Sequence, residues 1–164
     1  MAKKRLTRAS SNESNRIVAE LIRSYNMELE TVMNYIACSV DLDGALAAPI
    51  KAALSADIPT EIAHAQLLAK RIKTIGGFVP GSLELKWDQE ALQPPRDTTD
   101  LLTVVRGVID AEAGAIAQYQ KIIKLTDGKD MATQDMAIEL LANEQEHFRE
   151  FDGFRKELEK LFMV

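Results

Sequence analysis

Apolar residues recur along this chain at spacings of three and four, the period of a helix with one buried face. Four such runs begin near Ser14, after Gly44, at Thr98 to Asp100 and near Asp130. Their apolar stripes are, in chain order, Ile17, Leu21, Tyr25, Val32 and Ile36; Leu54, Leu68 and Ile75; Leu102, Val105, Ile109, Ile116 and Ile123; and Ala137, Leu140, Leu141, Phe148, Phe151, Phe154, Leu158 and Leu161. The pattern predicts an all-α protein of four helices.

The loops between these helices predict how the helices are connected. Residues 77–98 hold three of the five prolines and show no steady period, so they form the longest connection, and a connection of that length can cross the bundle. The other two connections are short. We therefore predict a single four-helix bundle domain over residues 14–164, with a long crossover between its second and third helices. Residues 1–13 show no helical period and are predicted to be a mobile basic tail.

Charge and composition narrow the possible partners. A net charge of -5 and a pI near 5.1 disfavour a dedicated nucleic-acid surface, although an acidic protein attracts metal cations. The basic tail is a weaker candidate for DNA contact, and a solvated tail is the preferred interpretation. The single cysteine, Cys38, excludes an internal disulfide, and no apolar stretch has the length of a signal peptide or a membrane span. A cytoplasmic protein without a membrane partner is expected.

Both histidines of the chain stand three residues after a glutamate, in Glu61-Ile62-Ala63-His64 and Glu144-Gln145-Glu146-His147. Residues three apart share one face of a helix. Each motif also lies within its helix's apolar stripe, because Leu54, Glu61 and Leu68 share one heptad row and Ala137, Glu144 and Phe151 share another. These carboxylates therefore point inward, where an unpaired charge is costly and requires cations or bound protons.

The first and third helices supply matching acids. Glu28 lies in the row of Leu21 and Tyr35, and Glu112 lies in the row of Val105 and Tyr119, so the chain repeats one constellation twice. Four carboxylates and two imidazoles then converge, which is the ligand set known for di-iron and di-manganese helical bundles. Carboxylates with one imidazole per ion suit iron first and manganese second. Two bridged ions could each give one electron to oxygen or hydrogen peroxide.

From residue 17 to about 152 the chain resembles the ferritin-like superfamily, in particular the bacterioferritins and Dps-like ferritins. The likeness rests on Glu28 to Tyr35, on EIAHAQLLAKRI around His64 and on NEQEHFREF around His147. It implies a ferritin-like four-helix bundle that binds two iron ions per subunit. It also implies the metal ligands, in which Glu61 and Glu144 bridge both ions, Glu28 and His64 complete one, and Glu112 and His147 complete the other.

The chain also departs from these relatives. Ile62 stands where bacterioferritins place the haem methionine, so no haem is expected. Ala56 and Thr60 replace the residues that form an inner-surface iron site in some bacterioferritins. Only 17 residues follow His147, which leaves no room for the fifth helix typical of 24-subunit cages. A homo-oligomer between a dimer and a Dps-like dodecamer is expected in preference to a 24-mer.

Three functions fit the sequence. The first is a ferroxidase that oxidises Fe(II) to Fe(III) with oxygen or hydrogen peroxide, for iron storage, detoxification or protection from oxidative stress. The second is a di-iron or di-manganese peroxidase or catalase, of rubrerythrin or manganese-catalase type, that stores no mineral. The third is a non-catalytic helical interaction module whose acids are structural. For the first two, Tyr35 and Tyr119 are further candidate site residues, because they could hydrogen-bond the carboxylates or pass an electron.

Overall fold

The computed structural model describes residues 8–162, with the side chains of residues 14–161. Within this range the chain forms four α-helices and one short 3-10 turn, Ser82–Glu84, and no strand. The helices are α1 (Arg8–Asp41), α2 (Ala47–Thr74), α3 (Leu101–Thr126) and α4 (Met131–Phe162). The predicted all-α class and the predicted order of short, long and short connections are confirmed. No further helix follows α4 among the described residues.

Two aspartate caps and one glycine explain where α3 and α4 begin and how the chain turns between them. The Asp100 side chain accepts a hydrogen bond of 3.1 Å from the backbone N–H of Thr103 and so caps the first turn of α3. Asp130 does the same for Thr133 at the start of α4, also at 3.1 Å. Between them Gly128 adopts φ +65°, a left-handed conformation that glycine takes without steric cost.

The start of α1 differs from the prediction. The helix begins at Arg8, six residues before Ser14, so residues 8–13 of the predicted mobile tail belong to it. These residues, Arg-Ala-Ser-Ser-Asn-Glu, contain no apolar residue larger than alanine. They therefore show no amphipathic period even though they are helical. The remaining part of the predicted tail, residues 1–7, lies outside the described residues.

The helices pack as two hairpins, α1 against α2 and α3 against α4. Across the bundle α1 also packs along α3, whereas α2 and α4 contact each other sparingly. The crossover, residues 75–100, joins the two hairpins. This arrangement places one face of all four helices towards a common axis. None of the described helices is both long and apolar enough to span a bilayer.

Two apolar clusters fill this axis, one towards each end of the bundle. One contains Tyr35, Leu54, Val105 and Phe151, and the other is built around Leu21, Leu68, Tyr119, Ile122 and Leu140. Most residues of the predicted stripes belong to these clusters, whereas Val32, Ile116 and Phe148 are buried or half-buried outside both. Ile36 is 47% exposed because the adjacent Tyr35 occupies the inward position, and Leu161 is 57% exposed in the last turn of α4. The two clusters bracket a layer of buried polar residues.

The crossover packs against α3 at Gly107. A β-carbon at this position would lie 2.4 Å from the backbone oxygen of Ala91 and 3.0 Å from the Cα of Leu92. Leu92 itself is fully buried in one of the apolar clusters. Only a residue without a side chain allows the crossover to approach so closely.

We therefore expect Gly107→Ala to lower the free energy of unfolding by about 1 to 3 kcal/mol, since the crossover or α3 must shift. Gly114→Ala is the matched control on the same helix, because its β-carbon would meet only the Met27 methyl at 3.7 Å. Urea denaturation of both variants measures the difference. Equal stability of the two variants would contradict the packing described at Gly107.

Candidate metal centre

The polar layer between the two apolar clusters brings together all six residues that the sequence predicted as ligands. Every helix contributes, and each residue is at most 9% exposed. Because the Glu-x-x-His residues lie three apart, both members of each motif face the axis from one helix. The ligand atoms form two groups, each with its atoms within 4.8 Å of one another: Glu28, Glu61, His64 and Glu144, and Glu61, Glu112, Glu144 and His147.

The first group is centred on the Nδ1 atom of His64. This nitrogen lies 3.0 Å from Oε1 of Glu144, 3.4 Å from Oε2 of Glu61 and 3.8 Å from Oε2 of Glu28. Three carboxylates from three helices therefore converge on one imidazole nitrogen. The acid from α1 joins this group only.

The second group is centred on Nδ1 of His147. It lies 3.0 Å from Oε1 of Glu61 and 3.7 Å from Oε2 of Glu144. Glu61 and Glu144 thus present one oxygen to each histidine, whereas Glu112 belongs to the second group alone. The two imidazole rings lie 6.4 Å apart, with 23° between their planes. Shared carboxylates flanked by two separate ones are the arrangement expected for a pair of cations with two bridging ligands.

Several of these atoms make no hydrogen bond to any described residue although they are buried. They are both carboxylate oxygens of Glu61, Oε1 of Glu144 and the Nδ1 atoms of His64 and His147. Buried polar atoms without partners are rare in folded proteins because each costs free energy. Here all of them face the same small space. A divalent cation in each half would satisfy them together, so the donor set fits two metal ions.

The two predicted tyrosines close the layer from above and below. The Tyr35 hydroxyl donates a hydrogen bond to Glu112, and the Tyr119 hydroxyl donates one to Glu28. Each tyrosine thus bonds the acid of the other half, across the bundle. Burial, and next the charge of the bonded carboxylate, raise the pKa of both hydroxyls well above the usual value, so they remain donors. Neither Glu28 nor Glu112 can rotate away without losing this bond.

Without metal, the raised pKa values of two carboxyls and of both imidazoles reduce the net negative charge of the centre. Burial, and then the proximity of Glu144, raise the pKa of Glu28 and of Glu112 well above the usual value. Burial opposes the charge on both imidazoles, but the surrounding carboxylates outweigh it and raise the pKa of His64 to about 12 and of His147 to about 10. Burial also opposes ionisation of Glu61, yet the two imidazoles hold its pKa below the usual value. Metal ions would therefore compete with bound protons.

The outer nitrogens of the two imidazoles have different neighbours. The Asn143 amide lies 3.2 Å from Nε2 of His64, whereas Asp57 places a carboxylate oxygen 3.7 Å from Nε2 of His147. The partner of the outer nitrogen fixes how a ligating imidazole is oriented. Asp57 thus lies beside His147, the most exposed of the six candidate ligands. Asn143 was not predicted, although it directly precedes Glu144.

The sequence also gave no indication of the residues that fix the crossover over the centre. Glu30 is 3% exposed and accepts hydrogen bonds from the backbone N–H groups of Asp88, at 3.0 Å, and Gln89, at 2.9 Å. The Gln89 side chain donates to the Thr31 hydroxyl at 2.6 Å and accepts from Asn34 at 3.0 Å. Glu30, Thr31 and Asn34 are polar residues of α1 that the crossover buries. The spacing of apolar residues does not single them out, so it did not predict these contacts.

One curated relative matches part of the chain in sequence. The DNA protection during starvation protein of Pyrococcus furiosus is 31% identical over 88 residues, which cover 51% of this chain and 46% of that protein. This chain therefore matches about half the length of that curated relative.

Solved structures with the same fold cover nearly the whole chain. The dodecameric thioferritin of Bacteroides fragilis, a bacterioferritin-related protein, superposes with a TM-score of 0.83 at 24% identity, covering 92% of this chain and 90% of that one. The diiron bacterioferritin of Desulfovibrio desulfuricans gives 0.78 at 20% identity, covering 92% and 84%. The Dps protein of Vibrio cholerae gives 0.79 at 14% identity, covering 93% and 99%.

At these identities the structural likeness establishes the fold alone. The family assignment comes from the sequence, because residues 18–161 match the family described as Ferritin-like domain. That stretch reaches into all four helices and contains every residue of the candidate centre. The chain belongs to the family of ferritin-like domains.

Proposed function

We propose that this protein is a ferroxidase that binds two Fe(II) ions between its four glutamates and two histidines and oxidises them to Fe(III). The observation that supports the proposal is the convergence of buried carboxylate and imidazole atoms, several of them without a hydrogen bond to any described residue, in two overlapping groups. Each Fe(II) gives up one electron. Hydrogen peroxide takes both electrons and two protons to form two waters, and oxygen takes both and two protons to form hydrogen peroxide.

The residues of the chain have distinct parts in this proposal. Glu28, Glu61, His64, Glu112, Glu144 and His147 bind the metal substrate, and Glu61 and Glu144 connect its two positions. The hydroxyls of Tyr35 and Tyr119 hold Glu112 and Glu28 in place by donating to them. The apolar clusters above and below exclude water from the layer, which strengthens the attraction between the carboxylates and a cation. Manganese fits the same donors and is the alternative metal.

Anaerobic titration with Fe(II), followed by rapid mixing with oxygen or with peroxide, tests the proposal. Saturation at two Fe(II) per chain and oxidation of both ions are expected. Binding of fewer than one ion per chain, or no faster oxidation than that of free Fe(II), would overturn it. If a large particle retained far more than two iron ions per chain, the protein would store iron. If it consumed peroxide repeatedly without retaining iron, it would be a peroxidase.

Proton release follows from the metal-free electrostatics. Both histidines hold protons near neutrality because the pKa of His64 is raised to about 12 and that of His147 to about 10, and the raised pKa values of Glu28 and Glu112 favour their protonated forms. Binding a pair of divalent ions at about pH 6.5 should therefore release about two protons per chain from the imidazoles, and more if the two carboxyls are also protonated. The affinity should fall as the pH falls, since the protons then compete more strongly. Titration with Mn(II) in weakly buffered indicator dye measures the release, and a value near zero would contradict this account of the centre.

We also propose that the chain forms a homo-oligomer, between a dimer and a dodecamer. The support is a row of exposed apolar side chains on α1, Met33, Ile36 and Val40, at spacings of three and four. The Bacteroides relative is described as dodecameric. Light scattering should show a particle larger than one chain, and Ile36→Glu should reduce its mass.

The cytoplasmic location stays a prediction from the sequence.

A further inference from the structure

The two halves of the candidate centre are nearly matched in the groups that face the metal positions. Each half has one separate glutamate, one histidine and the shared pair Glu61 and Glu144. Each histidine places its Nδ1 atom 3.0 Å from one shared glutamate, and each separate glutamate accepts a hydrogen bond from a tyrosine hydroxyl. A difference in metal affinity between the two positions is therefore expected to come chiefly from groups behind the ligands.

The groups behind the two histidines differ in charge. The outer nitrogen of His64, Nε2, lies 3.2 Å from the side-chain amide of Asn143. The outer nitrogen of His147 lies 3.7 Å from Oδ1 of Asp57, a distance too long for a hydrogen bond but short enough for an ion pair. One imidazole thus has a neutral amide behind it, and the other has a carboxylate.

The surroundings of Asp57 leave its carboxylate available to His147. Its Oδ2 atom is buried and makes no hydrogen bond to any described residue. Burial raises the pKa of Asp57 to about 6, and the neighbouring carboxylates Glu150, Glu61 and Glu144 add to this rise. His147 opposes the rise. Attraction to His147, or to a cation bound there, therefore stabilises the charged form of Asp57.

The internal repeat of the chain gives Asp57 no counterpart in the other half. Asp57 precedes the shared Glu61 by four residues, and the residue four before the shared Glu144 is Leu140. Leu140 is buried in one of the two apolar clusters. The carboxylate behind His147 is therefore specific to one half of the centre, although the ligands themselves repeat.

A carboxylate behind a ligating imidazole strengthens the bond to the metal in two ways. When Nδ1 binds a cation, Nε2 carries the proton of the neutral imidazole, and a carboxylate attracts that N–H group more strongly than an amide does. The imidazole then becomes a better electron donor to the metal. The negative charge also attracts the cation directly, and burial weakens the screening of that attraction. Loss of such an outer partner typically lowers metal affinity by about 10- to 100-fold.

We propose that Asp57 makes the metal position of Glu112 and His147 the tighter of the two, so that this position fills before the position of Glu28 and His64. The inference rests on the proposed ferroxidase function and adds an order of metal loading to it. Asp57 is a positioning residue in this proposal, because it acts through His147 and does not itself bind the metal.

Two reciprocal variants exchange the charges behind the histidines. Asp57→Asn gives His147 a neutral amide of the same size and should lower the affinity of its metal position about tenfold. Asn143→Asp gives His64 a carboxylate and should raise the affinity of its position about tenfold. Glu150→Gln is the matched control, because it removes one negative charge close to Asp57 from an exposed side chain. It should change neither affinity by more than about twofold.

Crystals grown with one Mn(II) per chain at about pH 8 measure the two positions separately, because each gives its own anomalous peak at the manganese absorption edge. In the wild type, the peak beside Glu112 and His147 should be about ten times stronger than the peak beside Glu28 and His64. The two peaks should be nearly equal in Asp57→Asn. In the double variant Asp57→Asn, Asn143→Asp the order should reverse. Titration followed by the EPR signal of free Mn(II) gives the two affinities in solution.

The outcomes distinguish this inference from the proposed function. Equal peaks in the wild type, a stronger peak beside His64, or an unchanged ratio in Asp57→Asn would overturn the inference and leave the ferroxidase proposal intact. A wild-type protein that bound neither Mn(II) in the crystal nor Fe(II) in solution would overturn both.

Discussion

Replacing Glu144 by glutamine is expected to abolish binding of the metal pair and to slow Fe(II) oxidation by about a hundredfold or more. Glu144 faces both histidines, with Oε1 3.0 Å from His64 Nδ1 and Oε2 3.7 Å from His147 Nδ1. Glutamine keeps the size of the side chain, so the bundle remains filled. It removes the charge that both metal positions share, and its NH₂ group cannot bind a cation.

The matched control is Glu146→Gln, two residues further along the same helix. Glu146 is mostly exposed and pairs with Arg149 on the surface, so its loss should change neither stoichiometry nor rate. Anaerobic Fe(II) titration and stopped-flow oxidation compare the two variants. If Glu144→Gln bound two ions and oxidised them at the normal rate, Glu144 would not be a ligand that both metal positions share. This result would contradict the proposed bridging role of Glu144.

Metal binding should also stabilise the fold by a large amount. The metal-free protein buries atoms of Glu61, Glu144, His64 and His147 without hydrogen-bond partners among the described residues, and cations would satisfy them. A ligand at about 100 times its dissociation constant adds about 2.7 kcal/mol per independent site, so two sites add about 5 kcal/mol. For a domain of this size that corresponds to a rise in Tm of roughly 10 to 20 °C.

Mn(II) is a suitable probe for this prediction, because it fits the same oxygen and imidazole donors and is stable in air. Thermal unfolding with Mn(II), and again after removal of the metal by a chelator, measures the shift. The double variant Glu61→Gln, Glu144→Gln should show almost none. A Tm that did not respond to Mn(II) in the wild type would indicate that the acids are a structural network, as in a helical interaction module.

The sequence could place the six candidate ligands in one buried layer because the heptad rows already fix which side chains face the axis. Glu28 and Glu112 could be placed in the buried layer from rows that end in Tyr35 and Tyr119. The same rows did not reveal that each tyrosine bonds the acid of the opposite half. That pairing depends on how the two hairpins pack, which is a property of the folded bundle.

The crossover could not be predicted in the same way. Its contacts come from single residues, such as the missing side chain of Gly107 and the buried carboxylate of Glu30, and these leave no periodic trace in the sequence. The hydrogen bonds of Gln89 to Thr31 and Asn34 depend on the crossover lying against α1, so the sequence pattern could not show them. The early start of α1 was missed for a related reason, since residues 8–13 are helical without an apolar face. The spacing of apolar residues predicts which face of a helix is buried, but it does not predict contacts made by single residues of a loop.

The most direct test of the di-metal centre is crystallographic. Crystals soaked anaerobically with Fe(II) and measured at the iron absorption edge should show two anomalous peaks in the buried polar layer. One should lie among Glu28, Glu61, His64 and Glu144, and the other among Glu61, Glu112, Glu144 and His147. A layer with no peak, or with iron bound only at the protein surface, would contradict the account.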